Sequence, residues 1–290
     1  MNEAQDTNNG RPGAKSSGMT SREFGLFSQF VESTCGIRMP DSKKLMLESR
    51  LQKRLRHHGI GSFREYYDYL VSKQGMRDEL VSMIDVVTTN KTDFFREAAH
   101  FTYLTESVLP RIPEVEQQNC VRVWSAGCSS GEEPYTLAMA LSEYARNCQG
   151  FKYSILATDI CTEVLKSAHR GIYEEEKIAP IPHDLKKRYL LRSKDKNKGV
   201  VRICPELRSA VTFRRLNFMD EIFDICNPLR IIFCRNVFIY FDRQTQESLV
   251  KKFCRHLLPG GYLFLGHSET LNGLDVPLVQ VNSTIYRKPA

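Results

Sequence analysis

The stretch Val121–Tyr135, VRVWSAGCSSGEEPY, decides the fold. Its first half is a short apolar run and its last third is helical. Gly127 and Gly131 lie between, where the chain must turn sharply and leave room for a close neighbour. Pro134 falls in the first turn of the predicted helix, where a proline costs nothing. Strand, glycine turn and helix in this order open a βα unit of the kind that holds nucleotide-like ligands.

Downstream the same alternation repeats. After a predicted helix over 133–148 comes YSILATD (153–159), then a helix over 162–170. VTFRRLN (211–217) and LRIIFCRN (229–236) are the next strands. A helix over 242–257 leads to YLFLG (262–266), and TIYRK (284–288) closes the chain. Continuous apolar strands separated by helices predict a parallel sheet covered on both faces, a doubly wound, Rossmann-like α/β domain over 121–290. The segment 172–210 interrupts the pattern with Pro180, Pro182, a charged run KDKNKG (194–199) and a strand-like VVRI (200–203). It reads as an inserted subdomain built on a small antiparallel sheet.

Residues 20–90 read as a small all-helical domain. Phe24, Phe27, Phe30 and Val31 recur at helical spacing. Asp41 or Ser42 can cap a second helix that carries Leu45, Leu47, Leu51 and Leu55 and stops at Gly59. Phe63, Tyr66, Tyr67 and Leu70 mark a third helix; Leu80, Met83, Ile84 and Val87 mark a fourth. The polar segment 1–19 reads as a disordered tail, and 91–120 as a linker between the two larger parts.

The 290 residues are 41% hydrophobic and 26% charged, an ordinary globular composition. No run of ~18 apolar residues suggests a membrane span, and the first twenty residues lack an apolar signal segment, so a cytoplasmic protein is expected. Nine cysteines at scattered spacing suit neither a disulfide framework nor a zinc site; no metal is expected. The net charge of +7 is uneven: residues 43–56 hold Lys43, Lys44, Arg50, Lys53, Arg54 and Arg56 against one acid, Glu48. Such a face can steer an acidic partner.

In doubly wound sheets, ligands bind beyond the carboxyl ends of the strands. Ser125-Ala126-Gly127, Asp159, Asn217 and Arg235-Asn236 are the polar residues expected there. Glu132 and Glu133 at a helix start would repel a pyrophosphate, the usual ligand of such a turn, and would welcome a cation such as a sulfonium amino acid. Both acids could equally serve the helix dipole alone. Asp159 is placed to accept hydrogen bonds from ribose hydroxyls, or to shape the turn before the next helix. Arg235 after an apolar strand is costly unless it meets a ligand or a carboxylate. The segment TTNKTDFFRE (88–97) sets Asn90, Thr92 and Arg96 beside a Phe-Phe pair that must be buried.

TTNKTDFFRE, VWSAGCSSGEEPY, ATDI and FCRNVFIYFD, in this order and spacing, closely resemble the signature segments of the CheR family, the chemotaxis receptor glutamate O-methyltransferases. The resemblance covers about 20–288. It implies S-adenosyl-L-methionine (SAM) as methyl donor, with S-adenosyl-L-homocysteine as product. By the same resemblance the SAM-binding positions are Asn90, Thr92, Arg96, Glu133, Asp159, Asn217, Phe218, Arg235 and Asn236. Glu133 and Asp159 would hold the amino-acid and ribose ends in some division, and Arg96 and Tyr240 would lie near the transferred methyl group. The implied substrates are glutamates of methyl-accepting chemoreceptors. The helical domain is the implied docking module, and in some relatives the β-subdomain grips a peptide tether at the receptor's C-terminus. A monomer, recruited to membrane receptors without inserting into the membrane, is expected. A nucleic-acid methyltransferase is disfavoured, because Asn227-Pro228 is followed by Leu229-Arg230 and precedes its strand. A non-catalytic SAM-binding adaptor remains the rival from another class.

Overall fold

The computed structural model describes residues 18–113, 117, 119–195 and 198–290. The tail expected over 1–19 therefore lies outside the described residues up to position 17; Met19, expected at its end, is buried. Lys196 and Asn197 of the charged run also lie outside. The chain divides into two compact units, one of residues up to 30 and 39–87, the other of 31–38 and 88–290. No helix among the described residues is long and apolar enough to cross a membrane.

The smaller unit is helical. Helix α1 (Ser21–Cys35) begins in it, followed by α2 (Lys44–His58), α3 (Phe63–Leu70), α4 (Lys73–Asp78) and α5 (Leu80–Val87). Helix α4 was not expected; Ser72 caps it by accepting from Gly75 N–H. Neither Asp41 nor Ser42 caps α2, because a 3-10 turn over Asp41–Lys43 runs straight into the helix. Gly59 ends α2 in the left-handed conformation, as expected. Leu47, Leu51 and Leu55 are buried, but Leu45 is 79% exposed. The stripe at 47, 51 and 55 already fills the inward face, and Leu45 sits off that stripe.

Two members of the basic run turn inward. Arg54 donates to both oxygens of Glu79, at 2.7 and 2.5 Å, and Tyr66 Oη donates to the same carboxylate at 2.6 Å. Glu79 is fully buried, so this cluster is an interior ion pair and contributes no surface charge. Arg50 donates to the carbonyl of Val87 at 2.6 Å, tying α2 to the end of α5.

In the larger unit, β1 (Cys120–Ala126), α7 (Glu132–Asn147, after a short helix α6 at Ala99–Tyr103), β2 (Lys152–Asp159) and α8 (Thr162–Arg170) form the opening βαβα run. The insertion supplies β3 (Ile172–Glu174), α9 (His183–Tyr189), β4 (Leu190–Arg192) and β5 (Val200–Ile203), with β5 antiparallel to both β3 and β4. The main chain then continues through α10 (Pro205–Ser209), β6 (Val211–Arg215), β7 (Leu229–Cys234), α11 (Arg243–His256), β8 (Leu257–Leu265), β9 (Val279–Asn282) and β10 (Ile285–Arg287).

The main sheet has the order β6-β2-β1-β7-β8-β10-β9. Its first five strands are parallel. The expectation of a wholly parallel sheet fails at the C-terminal edge, where β10 runs antiparallel to β8, and β9, unpredicted, runs antiparallel to β10. Only two residues separate β9 from β10, too short for a crossover helix, so the pair must be a hairpin. Alternate residues face opposite layers: Val123, Ile231 and Phe264 pack on one side, Trp124, Ile232 and Leu265 on the other. A sheet covered on both faces needs apolar residues at every strand position, which explains the unbroken apolar runs. The stretch 91–120, expected as a linker, carries helical structure from Ala99 to Arg111.

Candidate functional site

From β1 the chain moves outward to β2 and β6 on one side, then returns to β7 and β8 on the other. The order therefore reverses between β1 and β7, and a crevice opens at the carboxyl ends of strands at such a point. Glu133 and Arg235 meet there. Arg235 Nε donates to Glu133 Oε2 at 2.7 Å, and Ser125 Oγ donates to Glu133 Oε1 at 2.7 Å. Arg235 Nη1 also donates to the carbonyl of Arg96 at 2.7 Å and reaches Glu97 Oε2 at 3.3 Å. Its guanidinium lies over the rings of Phe101 and Phe233. The Arg235 side chain is 2% exposed, so a charge that would be prohibitive alone is carried by two carboxylates and a carbonyl.

Asp159 serves the glycine turn. Its Oδ2 accepts from Ser129 N–H at 2.8 Å and its Oδ1 from Cys161 N–H at 3.0 Å. The turn-shaping geometry foreseen for Asp159 is thus present, on a buried carboxylate. Glu132 accepts from Ser130 Oγ, and burial pushes its carboxyl up from the ordinary range. Gly127 and Gly131 take φ values of +87° and +98°. A Cβ on Gly131 would lie 2.8 Å from Tyr173 Oη, so the turn has no room for a side chain there.

Asn217 and Phe218 follow β6, whose neighbour is β2. The Asn217 amide is used locally, donating to Thr34 O at 2.7 Å and accepting from Met219 N–H at 3.0 Å. Phe218 stands edge-on to Trp124, Phe241 and Phe253. In the segment 90–96, Phe94 is buried against Tyr173 and Phe95 N–H donates to Thr136 Oγ1, which anchors the loop as its aromatics suggested. Asn90 donates to Thr88 Oγ1, Thr92 is half-buried, and Arg96 is half-buried with its Nη1 donating to Lys91 O at 3.2 Å. Tyr240 closes a 3-10 turn, Phe238–Tyr240, just after Asn236.

Backbone strain concentrates here. Of the five non-glycine residues at positive φ among the described residues, Phe95, Glu97, Ser129 and Asn236 belong to this site, and the fifth, Thr284, accepts or donates at 3.0 Å with His100 Nε2. Such conformations persist only where surrounding contacts over-determine them, as at ligand sites. Ser129 Oγ is also buried without a hydrogen-bond partner, the one such side-chain atom among the described residues.

Several participants escaped the sequence reading. Glu97, His100, His267, Ser129 and Glu269 all take part, and only the position of Glu97 and Ser129 inside quoted motifs hinted at them. Glu97, His100 and His267 come close enough to suggest a metal site. However, Arg235 Nη1 lies 3.3 Å from both Glu97 Oε2 and His100 Nδ1. A guanidinium thus sits where a metal ion would need those same lone pairs. His100 is held neutral, with its pKa lowered to about 4 by burial first and by Arg235 second.

The donor set fits a sulfonium cofactor. Glu133 and Glu97 share one buried cation, Arg235, and Asp159 lies buried at the glycine turn, accepting from the backbone N–H groups of Ser129 and Cys161, so the crevice carries excess acid suited to a positively charged ligand, and Ser129 brings an unused hydroxyl to the turn. Comparison with known proteins agrees. Residues 90–287 match the model of the CheR methyltransferase SAM-binding domain, and residues 22–88 that of the CheR all-alpha domain. The chain is 43% identical to the chemotaxis protein methyltransferase of Borreliella burgdorferi, over 93% of this chain and 95% of that one. It is 37% identical to that of Escherichia coli, over 92% and 91%. With chemotaxis protein methyltransferase 2 of Pseudomonas aeruginosa the identity is 38%, over 92% and 93%. The chain belongs to the CheR methyltransferase family, and carries that family's SAM-binding domain together with its all-helical N-terminal one.

Proposed function

We propose that this protein transfers the methyl group of SAM to glutamate side chains of methyl-accepting chemoreceptors, forming γ-carboxyl methyl esters. The observation that carries the reading is the acid-rich crevice at the β1/β7 switch point, where Glu133 is fixed by Ser125 and Arg235. SAM, when bound, supplies an electrophilic methyl on a sulfonium. Asn90, Thr92, Arg96, Glu133, Asp159, Asn217, Phe218, Arg235 and Asn236 form its contacts, with Glu133 and Asp159 receiving the ammonium and ribose ends.

The incoming glutamate is ionised at neutral pH, given a reference pKa of about 4.3. It needs no general base, and the chain's task is alignment of oxygen, methyl carbon and sulfur, with exclusion of water. Arg96 and Tyr240 have the role of positioning that carboxylate. Opposite charges vanish as the ester forms, so a crevice that keeps water out favours the step. Arg235 does not take part in this alignment: its Nε and Nη1 donate to Glu133, Glu97 and Arg96 O, and hold Glu133 in place beside the cofactor.

The helical unit is the docking module. Lys53 and Arg56 are exposed on α2 along with Leu45, a basic and partly apolar face suited to an acidic helix. Binding of a receptor peptide by strand addition at the β-subdomain, a monomeric state and recruitment to membrane receptors complete the proposal.

The test is incubation with methyl-labelled SAM and membranes containing the cognate receptor. Base-labile label on receptor glutamates is expected. SAM binding without transfer would instead identify an adaptor.

A further inference from the structure

We infer that Glu269 is a positioning residue that sets the geometry of the Asn236–Tyr240 turn for SAM binding and methyl transfer, an inference that rests on the roles given above to Asn236 and Tyr240. Glu269 is 4% exposed and lies four residues beyond β8, on the turn that follows that strand. Among the described residues its carboxylate forms no ion pair with a side-chain cation. Instead Oε2 accepts from Asn236 N–H at 2.9 Å and Gly266 N–H at 2.6 Å, and Oε1 accepts from Phe238 N–H at 2.8 Å. One buried carboxylate therefore clamps the ends of two adjacent parallel strands, β7 and β8.

The clamp acts on the residue that most needs one. Asn236 holds φ at +59°, and its Nδ2 reaches Glu97 Oε1 at 3.4 Å, the same carboxyl group that Arg235 touches. Two residues further on, the Phe238–Tyr240 turn begins with the N–H that Glu269 accepts. Gly266 completes the fit from the opposite strand. A Cβ there would lie 2.6 Å from Asn236 Nδ2 and 2.9 Å from its backbone nitrogen. Burial pushes the Glu269 carboxyl up, while its backbone N–H donors, Gly266, Asn236, Phe238 and Ile239, pull the other way. A carboxylate used only as a backbone acceptor, at a site where the backbone is strained, is a device for holding conformation.

The arrangement makes a specific demand. Both oxygens must be acceptors, because each faces an N–H. In Glu269→Gln the amide nitrogen must face at least one of them, donor against donor, with almost no change in shape. The measurements are SAM affinity by calorimetry, kcat and KM for receptor membranes, and thermal midpoint, on the full chain. Glu269→Gln is expected to remain folded, bind SAM at least about ten-fold more weakly and lose at least about ten-fold in kcat, with KM for receptor changed less than about two-fold. Combined with Asn236→Ala, it should add little further loss of SAM affinity, since both act through one residue.

A Glu269→Gln protein with SAM affinity within about two-fold of the parent overturns the inference, as do losses that multiply in the double variant. Should Glu269→Gln fail to fold, Gly266→Ala displaces Asn236 with Glu269 intact; the same loss supports the clamp, and unchanged SAM affinity overturns it. Asn236→Ala alone separates the two levels. If it leaves SAM affinity unchanged, the role of Asn236 falls and the clamp with it; if it weakens binding while Glu269→Gln does not, only the clamp falls.

Discussion

Acidification should destabilise this protein through one buried histidine. His100 is 3% exposed, accepts from Arg235 at Nδ1 and shares its Nε2 with Thr284 Oγ1. Burial and the Arg235 charge lower its pKa from 6.5 to about 4, with Glu97 opposing and His267 adding to the shift. In the unfolded chain the imidazole gains a proton below about pH 6.5, whereas the folded one resists until about pH 4. The unfolded state thus binds more protons in this window, and stability falls as pH is lowered through it. About 2.5 pH units at 1.36 kcal/mol each set a ceiling of roughly 3 kcal/mol, fully lost only below pH 4. His100→Gln keeps an acceptor for Arg235 and a donor for Thr284 but cannot titrate. Urea unfolding of both proteins from pH 7.5 to 4 isolates the term as the difference between the two curves. The wild-type stability should drop relative to the variant by about 2–3 kcal/mol across the window. Parallel curves would refute the reasoning, and a wild-type advantage that grows on acidification would reverse its sign.

Ser129→Ala should leave the thermal midpoint unchanged or slightly raised, because it removes a buried hydroxyl without a partner, yet weaken SAM binding by calorimetry; unaltered affinity would remove Ser129 from the site. Asp159→Ala should abolish measurable SAM binding and also lower the midpoint, since Ser129 and Cys161 lose their acceptor; intact affinity in a folded variant would remove Asp159 from the cofactor contacts. Reversing Lys53 and Arg56 to Glu should reduce kcat/KM for receptor, most strongly at low salt, with SAM affinity constant. Arg54→Ala, by contrast, should cost about 3 kcal/mol of stability by taking the bidentate cation from buried Glu79 and leaving it only Tyr66 and His58. A receptor defect without a stability loss in Arg54→Ala would contradict its interior placement.

Local physics was legible in the chain. Largely apolar runs marked β1, β2 and β7 to within two residues because central strands covered on both faces leave few polar positions. Gly59 and the glycines of the 127–131 turn stood where positive φ is required. The four motifs together carried the family, and with it the cofactor. The antiparallel C-terminal edge was not legible, because an apolar strand looks the same in either direction; only the pairing shows that β10 runs antiparallel to both β8 and β9.

What the sequence by itself determined was therefore periodic or local: two helical and α/β parts, an insertion, a glycine turn opening on an acidic helix start. What the tertiary structure alone decided is who partners whom across long separations. Arg235 followed an apolar strand and needed a carboxylate, but that Glu133 and Glu97 supply it, from 102 and 138 residues away, depends on β1 and β7 lying side by side. Likewise Arg54 and Lys53 are indistinguishable as charges in the basic run, and only packing buries one against Glu79 and leaves the other in solvent. Glu269 shows the same limit most plainly: its partners are backbone N–H groups, which every residue but proline possesses, so no side-chain pattern could have announced them.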